Sequence, residues 1–128
     1  MTAAPIRVLL VEDSDVYRDS LTFLLGRVPG VEVVGGVSTG SAAATACLQL
    51  AADVAVIDYR LPDVDGAKAA ADVRTRCPGA GVVFLSASAG HEEAAVARSA
   101  GVALVRKDEG LDAPAISTPD IPCPLNPI

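Results

Sequence analysis

The run Val54-Ala55-Val56-Ile57 leads without a polar break to Asp58, and Pro62 and Gly66 close a loop behind it. An apolar run this short, bounded by turn residues, reads as a strand buried on both faces. Such strands belong to parallel sheets covered by helices. In an open α/β sheet, ligands gather beyond the carboxyl ends of the strands, and Asp58 stands at such an end.

The same grammar repeats along the chain. Ile6 to Val11 is apolar apart from Arg7 and also ends in acid, Glu12-Asp13. From Asp15 the period changes: Tyr17, Leu21, Leu24, Leu25 and Val28 recur at helical spacing, Ser14 or Asp15 caps the start, and Pro29-Gly30 stops the helix. Val31 to Val37 reads as a strand weakened at its end by Gly35-Gly36, and Ser41 caps an alanine-rich helix to about Leu50. After Gly66, a helix over Ala67 to Cys77 turns Ala69, Ala70 and Val73 inward and ends at Pro78-Gly79. Val82 to Leu85 is a strand closing on Ser86, Glu92 to Ala100 a helix, and Val102 to Val105 a fifth strand leading to Arg106-Lys107.

This order predicts an α/β fold, a doubly wound five-stranded parallel sheet with right-handed crossovers. Pro114, Pro119, Pro122, Pro124 and Pro127 forbid a regular helix over Ala113 to Ile128, so the fifth helix is short or missing. The expected organisation is one domain over residues 1–112 and a proline-rich tail over 113–128.

The composition narrows the chemistry. With 51% hydrophobic but only 3% aromatic residues and no Trp, the core must be built from Val, Leu, Ile and Ala. A net charge of −6 argues against direct nucleic-acid binding, which rests on Lys and Arg neutralising phosphates. Cys47, Cys77 and Cys123 lack the spacing of a zinc site or a disulfide framework; the first two read as buried thiols. No stretch has the length of a signal-peptide core or a membrane span, which sets the expectation of a cytoplasmic protein with no membrane partner.

The strand ends supply Glu12, Asp13, Asp58, Ser86 and Lys107, and a doubly wound sheet lays these ends side by side. Two carboxylates about 4 Å apart repel by about 4 kcal/mol at an effective dielectric of 20, so three together must protonate or recruit a cation. Hard oxygen ligands with room for water suit Mg²⁺. With a cation offsetting charge on both partners, Asp58 can act as an oxygen nucleophile towards phosphorus. Lys107 then supplies a positive charge to a phosphoryl group on Asp58, and the Ser86 hydroxyl can bond one of its oxygens. A covalent anion appearing at this edge would pull Ser86 inward and shift what packs behind it.

On these residues the chain resembles a response-regulator receiver domain of bacterial two-component signalling, from about Ile6 to Asp108. The features are Glu12-Asp13, Asp58 with Pro62 and Gly66 behind it, Ser86 followed by Ala87, and Lys107. The resemblance implies a flavodoxin-like strand order 2-1-3-4-5 and a phosphoryl group passed to Asp58 from a sensor histidine kinase. It further implies Mg²⁺ held by the acidic pair with Asp58 and the backbone carbonyl of Arg60, and a homodimer through a helix-and-strand face. Arg60-Leu61-Pro62 and Lys107-Asp108 are similar to the branch whose receivers precede a helix-turn-helix output domain, which implies control of transcription. In two places the chain departs from the family: Leu104 stands where an aromatic residue is usual, and the tail replaces the fifth helix.

Two rival readings stand beside this one. A receiver-like module that binds partners through a fixed surface, without phosphate, is suggested by Leu104 and the tail. A small aspartyl-phosphate hydrolase is disfavoured because Arg60, not an acid, lies two residues after Asp58. Asp63 and Asp65 read as solvated loop acids, with Asp65 able to cap the following helix. His91 with Glu92-Glu93 reads as a helix start, and Tyr17 as a core residue near the acids.

Overall fold

The computed structural model describes residues 4–86 and the strand at 103–106; the helix expected over Glu92 to Ala100, Lys107 and the tail lie outside the described residues. The elements are β1 (Ile6–Val11), α1 (Asp15–Gly26), β2 (Val31–Val37), a 3₁₀ turn (Gly40–Ala42), α2 (Ala43–Leu50), β3 (Val54–Asp58), α3 (Gly66–Arg76), β4 (Gly81–Ser86) and β5 (Ala103–Arg106). The sheet is parallel with order β2-β1-β3-β4-β5. The doubly wound architecture and its strand order are therefore as expected.

Side-chain alternation divides the core in two. Leu9, Val11, Ala55, Ile57, Val82 and Phe84 face α2 and α3, while Val8, Leu10, Val54, Val56, Val83 and Leu85 pack with Leu21 and Leu25 of α1. Every residue of β3 is buried, which is why its sequence is a continuous run rather than an alternation. The α2–α3 side is lined by Ala43, Ala44, Ala69 and Ala70, small residues that let these two helices lie close together and close to the sheet. Ala69, Ala70 and Val73 point inward as their spacing foretold.

Four local expectations need correction. α1 ends at Gly26, three residues before Pro29, because Arg27 and Val28 donate to Leu24 and Leu25 carbonyls and tighten the last turn ahead of Gly30 at φ +82°. Leu24 is 55% exposed, since it lies at the edge of the stripe that Leu21 and Leu25 bury. Ser41 caps nothing with its side chain; it sits inside the 3₁₀ turn, and α2 starts from Ala42 without a side-chain cap. Gly35-Gly36 does not fray β2, which pairs with β1 through Val37. A Cβ on Gly36 would stand 2.9 Å from Cδ of Arg18, so the glycine makes room for that side chain.

Candidate functional site

The strand register sets the site. Val11 of β1 is level with Ile57 of β3, so Glu12 comes level with Asp58, and both continue the rows that face α1. The N–H of Glu12 donates to the Val37 carbonyl at 3.0 Å, holding the acid at the end of the sheet. Asp13 follows and is exposed. Among the described residues the buried polar side chains are Glu12, Asp58 and Ser86, at 1%, 5% and 1% exposure, and all three stand at this one edge. Burying polar groups is costly, and concentrating them at one edge marks a place kept for something other than packing.

Carboxylate oxygens of Glu12, Asp13 and Asp58 lie within 4.8 Å of one another. Two oxygens on one Mg²⁺ ion are at most about 4.2 Å apart, given metal–oxygen distances of about 2.1 Å. The three acids therefore fit a small, hard divalent cation after slight side-chain adjustment, and the all-oxygen donor set is the one such a cation prefers.

The surroundings fix these groups in place. A Glu12 carboxylate oxygen accepts from the N–H of Ser14 at 3.0 Å, and the Ser14 hydroxyl caps α1 by accepting from the N–H of Tyr17 at 3.2 Å. The Arg18 guanidinium donates to the Glu12 carbonyl at 2.6 Å and reaches Asp15 with its other nitrogen. Tyr17 itself is half-buried. On the other strand, the N–H of Arg60 donates to Asp58 Oδ1 at 3.1 Å, and Tyr59 donates its N–H to Leu85 at 2.8 Å. Behind Asp58, the Tyr59 ring meets Phe84 edge-on at 5.5 Å between centroids.

The loop after Asp58 folds back on itself. Gly66 donates its N–H to the Tyr59 carbonyl at 2.8 Å, and Arg60 pairs with Asp65 in an isolated bridge. Only glycine fits at 66, because a Cβ there would stand 2.6 Å from the Cα of Tyr59 and 2.8 Å from the Asp58 carbonyl oxygen. Asp65 caps α3, accepting from the N–H of Lys68 at 2.8 Å. This loop, residues 59–65, also lines an open cleft of about 340 Å³.

Asp63 is more than a solvated acid. Its two carboxylate oxygens accept from the N–H groups of Gly40 and Ser41 at 2.9 and 3.0 Å, across to the turn that starts α2. Those N–H donors, Gly40 first, hold its carboxyl well below the usual carboxylate range. A Cβ on Gly40 would collide with Val64 and approach Leu61 Cδ1 to 3.1 Å, so that glycine seats the same loop.

The structure thus brings together Glu12, Asp13 and Asp58, with the Arg60 backbone bonded to Asp58. It buries Ser86 at the end of β4, where it is level with Arg106 of β5. Lys107 follows directly and lies outside the described residues. Sequence reasoning missed Arg18 and the Asp63 clamp. For Arg18 a signal existed, a basic residue one turn into the helix after the acids with Gly36 to clear its path. No local signal marks a bond between Asp63 and Gly40.

Comparison with known proteins places this arrangement. A family model described as the response regulator receiver domain matches residues 8–111. The chain is 35% identical over 91 residues to a protein-glutamate methylesterase/protein-glutamine glutaminase of Pseudomonas fluorescens, covering 71% of this chain and 24% of that protein. It is 40% identical over 85 residues to one of Myxococcus xanthus, covering 66% of this chain and 24% of that protein. The chain thus spans about a quarter of the length of these relatives. Among solved structures, the signal receiver domain of NarL from Mycobacterium tuberculosis superposes with a TM-score of 0.76 at 31% identity, over 83% of this chain and 86% of that one. The response regulator domain of Thermotoga maritima CheB gives 0.72 at 26% identity, over 89% and 87%. Fold, edge geometry and family match agree: this chain belongs to the response regulator receiver domains of two-component signalling.

Proposed function

We propose that Asp58 accepts a phosphoryl group from the phosphohistidine of a sensor kinase, with Mg²⁺ held by Glu12, Asp13, Asp58 and the Arg60 carbonyl. The convergence of three carboxylates within 4.8 Å at the strand ends supports this most directly. The Arg60 N–H on Oδ1 restrains the rotation of the Asp58 carboxylate, so an oxygen is held ready for in-line attack. A new O–P bond forms as the P–N bond breaks, and the leaving imidazole takes up a proton. A bound divalent cation lowers the repulsion between the carboxylate and the phosphoryl oxygens. Lys107 and Ser86 take the remaining phosphoryl oxygens, one by charge and one by hydroxyl.

The receiver unit occupies residues 1–112 in this reading, with 113–128 as a tail, and a homodimer is a further proposed partner. As to output, Arg60-Leu61-Pro62 and Lys107-Asp108, similar to the branch whose receivers precede a helix-turn-helix output domain, support control of transcription. A second reading, control of a carboxyl-modifying enzyme, is favoured by the likeness to methylesterase relatives.

The experiment is incubation of the full chain with acetyl phosphate. Uptake of one phosphoryl group that requires Mg²⁺, is abolished by chelator and is lost in Asp58→Asn is the expected result. Equal partner binding by wild type and Asp58→Ala, with no uptake, would instead favour the phosphate-independent module.

A further inference from the structure

Arg18 reaches back from α1 to the end of β1. Val11 is the last residue of β1 paired with its neighbours, and the Glu12 carbonyl just beyond it accepts from Arg18 Nη1 at 2.6 Å. Nη2 of the same guanidinium binds Asp15 Oδ1, so the planar group is held by both of its terminal nitrogens. The Arg18 side chain is 20% exposed, whereas Asp15 is open to solvent. A glycine on β2 clears the path, because a Cβ at Gly36 would stand 2.9 Å from Cδ, 3.4 Å from Cγ and 3.5 Å from Nε of Arg18.

We propose that Arg18 is a positioning residue for the divalent cation, fixing the peptide that joins Glu12 to Asp13. Glu12 is gripped on both sides: its N–H donates to the Val37 carbonyl at 3.0 Å, and its carbonyl receives the guanidinium. The buried Glu12 carboxylate is also held by the N–H of Ser14. Asp13 is exposed, so packing does not set its direction, which is inherited from the peptide that Arg18 holds. One guanidinium thereby sets the second acid relative to the first and to Asp58, across the 4.8 Å that the three carboxylates span. This inference rests on the reading of those acids as cation ligands.

Charge and position predict opposite signs. By charge alone, a guanidinium near the acids repels a cation, so Arg18→Ala would tighten Mg²⁺ binding. By position, the same change frees the Glu12–Asp13 peptide and loosens binding. Position dominates, because the ion pair with Asp15 already offsets the charge of Arg18 and salt screens what remains. Removing a group that orients metal ligands costs about tenfold or more in affinity.

The test is titration of the full chain with Mg²⁺ at constant ionic strength, followed through the amide NMR signals around Asp13 and Asp58. Arg18→Ala keeps a strong helix former in α1 and should weaken Mg²⁺ binding about tenfold. Gly36→Ala retains the arginine but pushes its guanidinium aside, and should weaken binding in the same direction. In the double variant the new Cβ has no arginine to displace, so its Mg²⁺ affinity should equal that of Arg18→Ala alone. Unchanged or tighter binding by Arg18→Ala, or a loss in the double variant equal to the product of the single losses, would overturn the positioning role and leave the cation site standing. Should Arg18→Ala not fold, unchanged affinity in Gly36→Ala overturns it by itself and weakened affinity supports it. No Mg²⁺ binding by the wild type would overturn both this role and the cation site.

Discussion

Glu12 and Asp58 stand level on neighbouring parallel strands, one residue past the paired Val11 and Ile57, on the face of the sheet that meets α1. Register alone places them there. Because side chains alternate along a strand, a slip of one residue in β1 would send Glu12 to the opposite face and scatter the acids. The hydrogen bonds from Ser14 and Arg18 to Glu12, and from Arg60 to Asp58, then fix the two ends of the site separately.

Gly66 is the point at which the loop after Asp58 tolerates least. Gly66→Ala would drive a Cβ into the Tyr59 backbone, 2.6 Å from its Cα, and no flexible side chain is there to give way. The expected cost is about 1–3 kcal/mol in urea unfolding. Phosphoryl uptake should slow as well, because the shifted backbone is the one that carries Arg60 and its bond to Asp58.

Asp63 should make the protein sensitive to acid. Its carboxyl is held well below the ordinary value of 3.8 by the Gly40 and Ser41 N–H groups, so its stabilising effect is present above that value. It is lost as the pH falls through the lowered folded value. Asp63→Ala should therefore be less stable than wild type at neutral pH, with the difference closing in acid. Carboxyl-carbon NMR should show Asp63 still ionised at pH 3.8, and a half-protonated Asp63 there would rule the clamp out.

Ala51 ends α2 in the left-handed region at φ 52°, where its Cβ is crowded. The strain is tolerated because Ala52 donates its N–H to the Cys47 carbonyl and Arg7 donates to the carbonyls of Leu50 and Ala51. Ala51→Gly should raise stability by about 1 kcal/mol, the strain relieved less the added entropy of the unfolded chain. A fall in Tm would show that the hydrogen bonds, not the cap geometry, set this conformation.

What the sequence made legible, and what it hid, follows the range of the interactions. β3 could be read because an apolar run of its length, stopped by Asp58 and Pro62, has few other ways to be buried. The acids were legible because each sits directly after such a run. Ser14 and Asp65 could be read as caps because capping acts over three residues. The Asp63 clamp reaches from the loop after β3 to Gly40, so it leaves no trace in local pattern. Leu24 was misplaced because helical spacing gives a stripe but not its edges. The roles of Lys107 and of the tail concern residues outside those described.

The central claim is that Asp58, among the acids at this edge, carries the phosphoryl group. Borohydride reduction of the chain after Mg²⁺ and acetyl phosphate, followed by peptide mapping, tests it directly, since hydride converts an aspartyl phosphate to homoserine. Homoserine is expected at position 58 alone. Homoserine at position 13, 63 or 65, with residue 58 still aspartate, would contradict it.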